Sequence, residues 1–208
     1  MPRPVRDGRV VGVLLAAGGA RRFGSQKLVH PVGGAPLVRR AAEALLATSV
    51  DAVVVVVGSE APRVRTALDG LTLHVVAAEE WERGMSASIR RGIGALDPEV
   101  GAAILALGDQ PAVGAAIIDP LVAAWRGGRG PIVAPRFRRA VRPPVLFDRS
   151  LFGELAALEG DRGARAVLET APARVHVVDF DDDEPADVDE PSDVARAERT
   201  ERPRTRHI

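Results

Sequence analysis

The run Val53-Val54-Val55-Val56-Val57 constrains the fold of this chain more than any other stretch. Five β-branched residues in a row favour a strand, and the lack of polar alternation means that both faces of that strand must be covered. A strand of this kind belongs inside a parallel sheet with helices above and below it. Further apolar runs at Val10–Leu15, Leu73–Ala77, Ala102–Leu107, Ile132–Ala134 and Val175–Val178 read as additional strands. Helical stretches alternate with them, around Pro36–Ala47, Ala61–Leu68, Ser86–Ala95, Gly114–Trp125, Arg149–Leu155 and Arg162–Glu169. This alternation predicts an α/β fold, a doubly wound, mostly parallel, Rossmann-like sheet with helices on both faces. Ligands of such sheets bind beyond the carboxyl ends of the strands, so the loops that follow strands are where chemistry is expected.

The 208 residues suit one domain, read here as residues 10–197 with flexible tails at 1–9 and 198–208. Gly127-Gly128-Arg129-Gly130 reads as a local turn rather than a boundary. The 28 basic and 28 acidic side chains cancel, so there is no global attraction to nucleic acid or to a membrane, and any anion site must be local. Arginines at 3, 6 and 9 and from Arg196 to Arg206 read as solvated tail charges. With no cysteine there is no disulfide, zinc–thiolate site or thiol nucleophile, and four scattered histidines make no zinc site. No apolar run reaches the length of a signal peptide core or a membrane span, which predicts a cytoplasmic protein.

Chemistry concentrates in the loop after the first strand, Leu15-Ala16-Ala17-Gly18-Gly19-Ala20-Arg21-Arg22-Phe23-Gly24-Ser25-Gln26-Lys27. Small residues let backbone N–H groups approach a polyphosphate closely, and nearby cations neutralise its charge. No Gly-Lys-Ser/Thr follows, so it is not a Walker A loop, and the glycines lack the G-x-G-x-x-G spacing of a dinucleotide fold. The pattern L-A-A-G-x-x-x-R-F-G-x-x-K resembles the signature loop of the MobA-like NTP transferase family, in the form found in its molybdenum-cofactor cytidylyltransferases. That resemblance implies a nucleotidyltransferase that binds a nucleoside triphosphate through Ala16, Ala17, Gly18, Gly19, Arg22 and Lys27.

Four other segments carry the likeness further. In Trp81-Glu82-Arg83-Gly84-Met85-Ser86-Ala87-Ser88, Gly84 breaks the chain before a helix whose early hydroxyls, Ser86 and Ser88, can cap free N–H groups or meet a ligand. The residues leave that choice open; the family's W-x-x-G-M-S-x-S assigns Gly84, Ser86 and Ser88 to the nucleotide. In Leu105-Ala106-Leu107-Gly108-Asp109-Gln110-Pro111, Asp109 sits directly after a buried strand, either starting a turn or holding Mg2+ against phosphate oxygens. It is similar to the family's L-A-D-Q-P, with Gly108 in place of alanine. Gly160-Asp161-Arg162-Gly163-Ala164-Arg165 offers Asp161 as a helix cap. By resemblance, Asp161 and Arg165 lie on the acceptor side. Most charges from Asp179 to Asp193 read as a solvated face. Asp189 resembles the second aspartate of D-I-D-x-P-x-D, which would complete the metal site opposite Asp109. A turn at His30 and packing roles for Trp81 and Trp125 are the expected structural readings.

The likeness covers residues 10 to 197 and implies transfer of CMP from CTP to molybdopterin with Arg22, Lys27 and Asp109 at the reacting centre. Its partners would be the nucleotide, a molybdopterin-like acceptor and a molybdoenzyme or its chaperone, with no nucleic acid and no membrane. CTP is favoured because guanylyl-transferring relatives read Leu-Ala-Gly-Gly, and the Ala17 β-carbon is expected to crowd a purine. One segment departs: where the family reads G-H-P before a V-L-F run, this chain reads Arg142-Pro143-Pro144. That difference keeps open a sugar phosphate, polyol phosphate or phospholactate as acceptor. A cofactor-delivery chaperone and an NADPH-dependent dye reductase are the non-transferase alternatives.

Overall fold

The computed structural model describes residues 6–19, 27–138, 140–181 and 185. Along them run β1 (Arg9–Ala16), β2 (Pro31–Val32), β3 (Ala35–Pro36), α1 (Leu37–Leu46), β4 (Ala52–Val57), α2 (Ala61–Ala67), β5 (His74–Ala77) and α3 (Met85–Ile93). They are followed by β6 (Val100–Leu107), α4 (Ala115–Arg126), β7 (Ile132–Phe137), β8 (Ala140–Val141), β9 (Val145–Asp148), α5 (Phe152–Ala156), α6 (Arg165–Thr170) and β10 (Val175–Phe180). The main sheet has the order β10-β7-β9-β6-β1-β4-β5, with β8 attached to β7. Strands β5, β4, β1 and β6 are mutually parallel. β10 is parallel to β7, whereas β9 runs antiparallel to both β6 and β7.

The valine run does what its composition demands. Val53, Val55 and Val57 face a core shared with Leu37, Leu45, Val64, Ile118 and Leu121 from α1, α2 and α4. Val54 and Val56 face the opposite core, shared with Ile89, Ile93, Leu155 and Val167 from α3, α5 and α6. β1 splits its residues in the same way, Val10 and Leu14 to one side, Val11 and Val13 to the other. Helix α1 is built for this burial: Leu37, Val38, Ala41, Ala42 and Leu45 form one apolar stripe at helical spacing. The doubly wound, mostly parallel sheet expected from the sequence is the fold observed, and the six expected strands are all present. Arg149–Leu155 is divided into a 3-10 turn, Arg149–Leu151, followed by α5.

Three features were not read from the sequence. The β2–β3 hairpin turns at Gly33-Gly34, both at positive φ (56° and 86°), as a two-residue hairpin turn requires. β8 and β9 are short, and β9 takes its direction from neighbours on both sides rather than from its own pattern. At the amino-terminal edge of the sheet Asp148 closes β9. It accepts hydrogen bonds from the Arg6 guanidinium, from Trp125 Nε1 at 2.9 Å and from Ser150 N and Oγ at 3.0 and 2.7 Å. Burial works to raise the Asp148 pKa, but the bonds from Ser150 and Trp125, with the charge of Arg6, outweigh it and hold the carboxyl below its ordinary value. Arg6 therefore ties to the sheet part of the segment expected as a flexible tail, and Arg9 opens β1. No helix among the described residues is long and apolar enough to cross a membrane.

Candidate active site

β1 lies between β4 on one side and β6 on the other, so the order of the sheet reverses direction at its carboxyl end. Crevices form at such a point because successive loops leave toward opposite sides. The loop ends are tied to one another here. Gly108 N donates to Leu15 O at 3.0 Å, and Ser59 N donates to Ala17 O at 3.0 Å. Trp81, in a 3-10 turn after β5, wedges against this junction. A β-carbon at Gly19 would stand 3.3 Å from its ring, and one at Gly58 only 2.7 Å from both its Cβ and Ala17 O. Gly18 differs, because among the described residues nothing lies within 4 Å of where its side chain would point.

Lys27 and Asp109 meet across this crevice although 82 residues separate them, with Nζ 2.8 Å from Oδ2. Each has its own anchor. Lys27 opens a 3-10 turn pinned by the buried Leu28, and Asp109 follows β6 after the single residue Gly108. Both side chains are mostly enclosed, at 16% and 22% exposure, so their charges are screened less than a surface pair would be. Asp109 Oδ1 is buried and has no hydrogen-bond partner among the described residues. A buried carboxylate oxygen left unpaired is costly, and a hard cation repays that cost. Magnesium needs only one or two carboxylates when phosphates supply the remaining oxygens, so this oxygen fits a divalent metal. Among the described residues no three histidine, cysteine or acidic side chains gather to hold a metal unaided.

Helix α3 is preceded by Gly84, whose φ of 103° is a conformation that glycine adopts readily. A β-carbon there would lie 2.6 Å from Gly160 O and 2.5 Å from the Asp161 carboxylate. Ser86 N donates to Gly160 O at 3.2 Å, so the loop at residues 160–163 is seated on the start of α3. The serines are not caps. No side chain caps α3, and Ser86 and Ser88 are both buried within it. Asp161 does not cap α6 either, since Ala164 occupies that position. Its carboxylate instead lies beside Gly84. Arg165 is largely exposed and pairs with Glu169 at 2.8 Å.

Of the residues singled out in the sequence, the structure brings Gly18, Gly19, Lys27 and Asp109 to one crevice and Gly84 to its Trp81 wall. Ala16 and Ala17 point into opposite cores, so only their backbone faces the crevice. Ala17, whose methyl was expected to crowd a purine, is buried and belongs to the same apolar cluster as Val13 and Ile89. Arg22 and Asp189 lie outside the described residues. His30 sits in a bend and Trp125 is buried, as expected. Gly58 and Ser59 were not anticipated, and the available signal was a glycine directly after the buried valine strand.

Gly18→Ala gives a clean test of the open position. The substitution meets no atom of the described residues, so the melting temperature should remain within about 2 °C of the parent. The added methyl occupies ligand space, and affinity for a nucleoside triphosphate should fall about tenfold in an equilibrium titration. Unchanged affinity would remove Gly18 from the binding surface.

Comparison with known proteins identifies the family and the fold. The purine catabolism protein PucB of Bacillus subtilis is 28% identical over 181 residues, covering 80% of this chain and 83% of its own length. The bifunctional protein GlmU of Kineococcus radiotolerans is 33% identical over 165 residues, 77% of this chain but only 32% of that protein, so this chain spans about a third of it. Rv0371c from Mycobacterium tuberculosis H37Rv superposes with a TM-score of 0.84 at 30% identity, over 93% of this chain and 99% of that one. A structure of Rv0371c in complex with manganese superposes with a TM-score of 0.79 at 28% identity, over 92% and 99%. The model of the MobA-like NTP transferase domain matches residues 12–177, and the chain belongs to that family as a nucleotidyltransferase acting on a nucleoside triphosphate.

Proposed function

We propose that this nucleotidyltransferase moves CMP from CTP to a phosphorylated acceptor, molybdopterin or a close relative of it, in a magnesium-dependent reaction that releases pyrophosphate. The observation that carries the reading is the Lys27–Asp109 pair at the switch point of the sheet, with one carboxylate oxygen held by the ammonium and the other buried and unpaired among the described residues. The preference for CTP and for molybdopterin comes from the sequence resemblance.

In this mechanism an oxygen of the acceptor phosphate forms a bond to the α-phosphorus of CTP as the bond from that phosphorus to the pyrophosphate oxygen breaks. An ionised phosphate is already a nucleophile and needs no general base, so the protein's task is alignment and charge stabilisation. The backbone of Gly18 and Gly19, with Arg22, cradles the triphosphate. Lys27 brings positive charge to it and is kept in place by Asp109 Oδ2. Ser86 and Ser88, buried at the start of α3, position the nucleoside. Asp109 Oδ1, joined by Asp189, is the oxygen that would hold Mg2+, whose charge would offset that building up on the phosphates.

A second reading keeps the chemistry and changes the acceptor to a sugar phosphate, polyol phosphate or phospholactate. Arg142-Pro143-Pro144, in the place of the family's G-H-P, favours it. Incubation with Mg2+, each of the four nucleoside triphosphates and a panel of these acceptors decides between them. Pyrophosphate release is expected with CTP and molybdopterin. Release with CTP and another acceptor selects the second reading, and silence across the whole panel overturns both.

A further inference from the structure

Two glycines of the crevice make room for one ring. Trp81 stands in the 3-10 turn Trp81–Arg83, between the end of β5 and the start of α3. Its Cβ and Cγ lie beside Gly58, where an added β-carbon would come within 2.7 Å of each. The far end of the indole reaches Gly19, where a β-carbon would stand 3.3 Å from Cζ3 and 3.4 Å from Cη2. One side chain therefore spans from the end of β4 to the glycine loop. A phenyl ring on the same Cβ lacks the second ring to which Cζ3 and Cη2 belong, so it would cover Gly58 and leave Gly19 uncovered.

The ring is firmly seated. Trp81 packs against the core cluster that contains Ala17, Ala78 and Ile89, the same core that Ala17 joins just before the glycines. Its backbone is held from both sides: Trp81 N donates to Ala78 O at 3.2 Å, and Gly84 N donates to Trp81 O at 3.1 Å. Ala78 N donates in turn to Val57 O at 2.8 Å, which ties the whole turn to β4. The segment it touches is the opposite in character. Glycines lose more conformational freedom on ordering than any other residue, and Gly18 and Gly19 have no side chains to pack. A rigid wall that fixes such a segment before a ligand arrives lowers the ordering cost of binding.

We infer that Trp81 is a positioning residue for the nucleoside triphosphate, its indole holding Gly19 so that the backbone N–H groups of the glycine loop are set for the phosphates. The inference rests on the transferase reading only for the triphosphate itself, whatever the base or the acceptor. Trp81 acts through Gly19 and needs no contact with the ligand. Preorganised donors bind a developing or standing negative charge without reorganising, so the effect belongs to affinity as much as to fold.

Tryptophan emission and equilibrium dialysis together test this. The chain has two tryptophans. Trp125 is buried, with Nε1 donating to Asp148 at 2.9 Å at the amino-terminal edge of the sheet, and its emission should not respond to nucleotide. Each of the four nucleoside triphosphates is added with Mg2+, and binding is measured independently by dialysis. Those that bind wild type should change its emission, and Trp81→Phe should abolish that change. Trp81→Phe keeps the cover of Gly58 and the seat on the core, so its melting temperature should stay within about 3 °C of wild type. Its nucleotide affinity should nonetheless fall about fivefold, and that of Trp81→Ala at least about tenfold. A merely structural ring gives a different split, with phenylalanine restoring affinity along with melting temperature. Equal affinity in wild type and Trp81→Phe overturns the inference, as does binding without a change in wild-type emission, or binding of none of the four. Pyrophosphate release, measured separately, judges the transferase reading; its absence leaves the dialysis and emission results to decide on Trp81 by themselves.

Discussion

Lys27→Ala and Asp109→Asn should each lower nucleotidyl transfer by roughly 10²- to 10³-fold, the loss typical when one preorganised charge at a reacting centre is removed. The two act on opposite ends of one contact, Nζ to Oδ2 at 2.8 Å in a mostly enclosed crevice, and each loss should have its own signature. Without Lys27 the triphosphate loses a cation, so nucleotide affinity falls together with the rate. With asparagine at 109 the shape of the side chain is retained but its charge is gone, and the buried Oδ1 position can no longer anchor a divalent ion. Thermal shift separates these outcomes, because a ligand that binds only the folded state raises the melting temperature by an amount that grows with the logarithm of its affinity. CTP with Mg2+ should stabilise wild type, whereas Asp109→Asn should respond to CTP with little dependence on Mg2+. Transfer rates within a factor of about two of wild type in both variants would dissolve the assignment of this pair to catalysis.

Gly58→Ala should have the largest effect on the architecture of the site. Its β-carbon would stand 2.7 Å from Ala17 O and 2.7 Å from Trp81 Cβ, well inside van der Waals contact. One of those neighbours is backbone held by the Ser59 N–H at 3.0 Å, so relief requires separating the ends of β1 and β4. Overpacking of this kind costs about 1–3 kcal/mol, which in a domain of this size lowers the melting temperature by roughly 3–10 °C. Nucleotide affinity should fall too, since the displaced Ala17 carbonyl leads directly into Gly18 and Gly19. Gly153→Ala is the matched control. It lies inside α5 with open space around it, so alanine there should be neutral or slightly stabilising. If both substitutions shifted the melting temperature equally, the close approach at Gly58 would not be what holds the loops together.

How much of this could be read in advance depended on the range of the interaction involved. The Val53–Val57 run specifies a strand covered on both faces, because each residue's burial demand is written in its own side chain. The alternating runs specify the doubly wound class, and the Leu15–Lys27 loop specifies a phosphate-binding family, since close backbone approach and fixed cations are local properties of the segment. Only the fold decided that Lys27 meets Asp109, because that contact depends on how β1 and β6 pair. It decided as well that Ser86 and Ser88 are buried rather than capping, since Gly84 at φ 103° takes the cap position before Met85 and Gly160 O takes the Ser86 N–H. The reversed direction of β9 arises from pairing with β6 and β7 at once, and no four-residue stretch encodes which neighbours it will have. Burial demand and turn chemistry act through neighbouring bonds and so belong to the sequence. Register, close approach and the meeting of distant charges come from packing the whole chain.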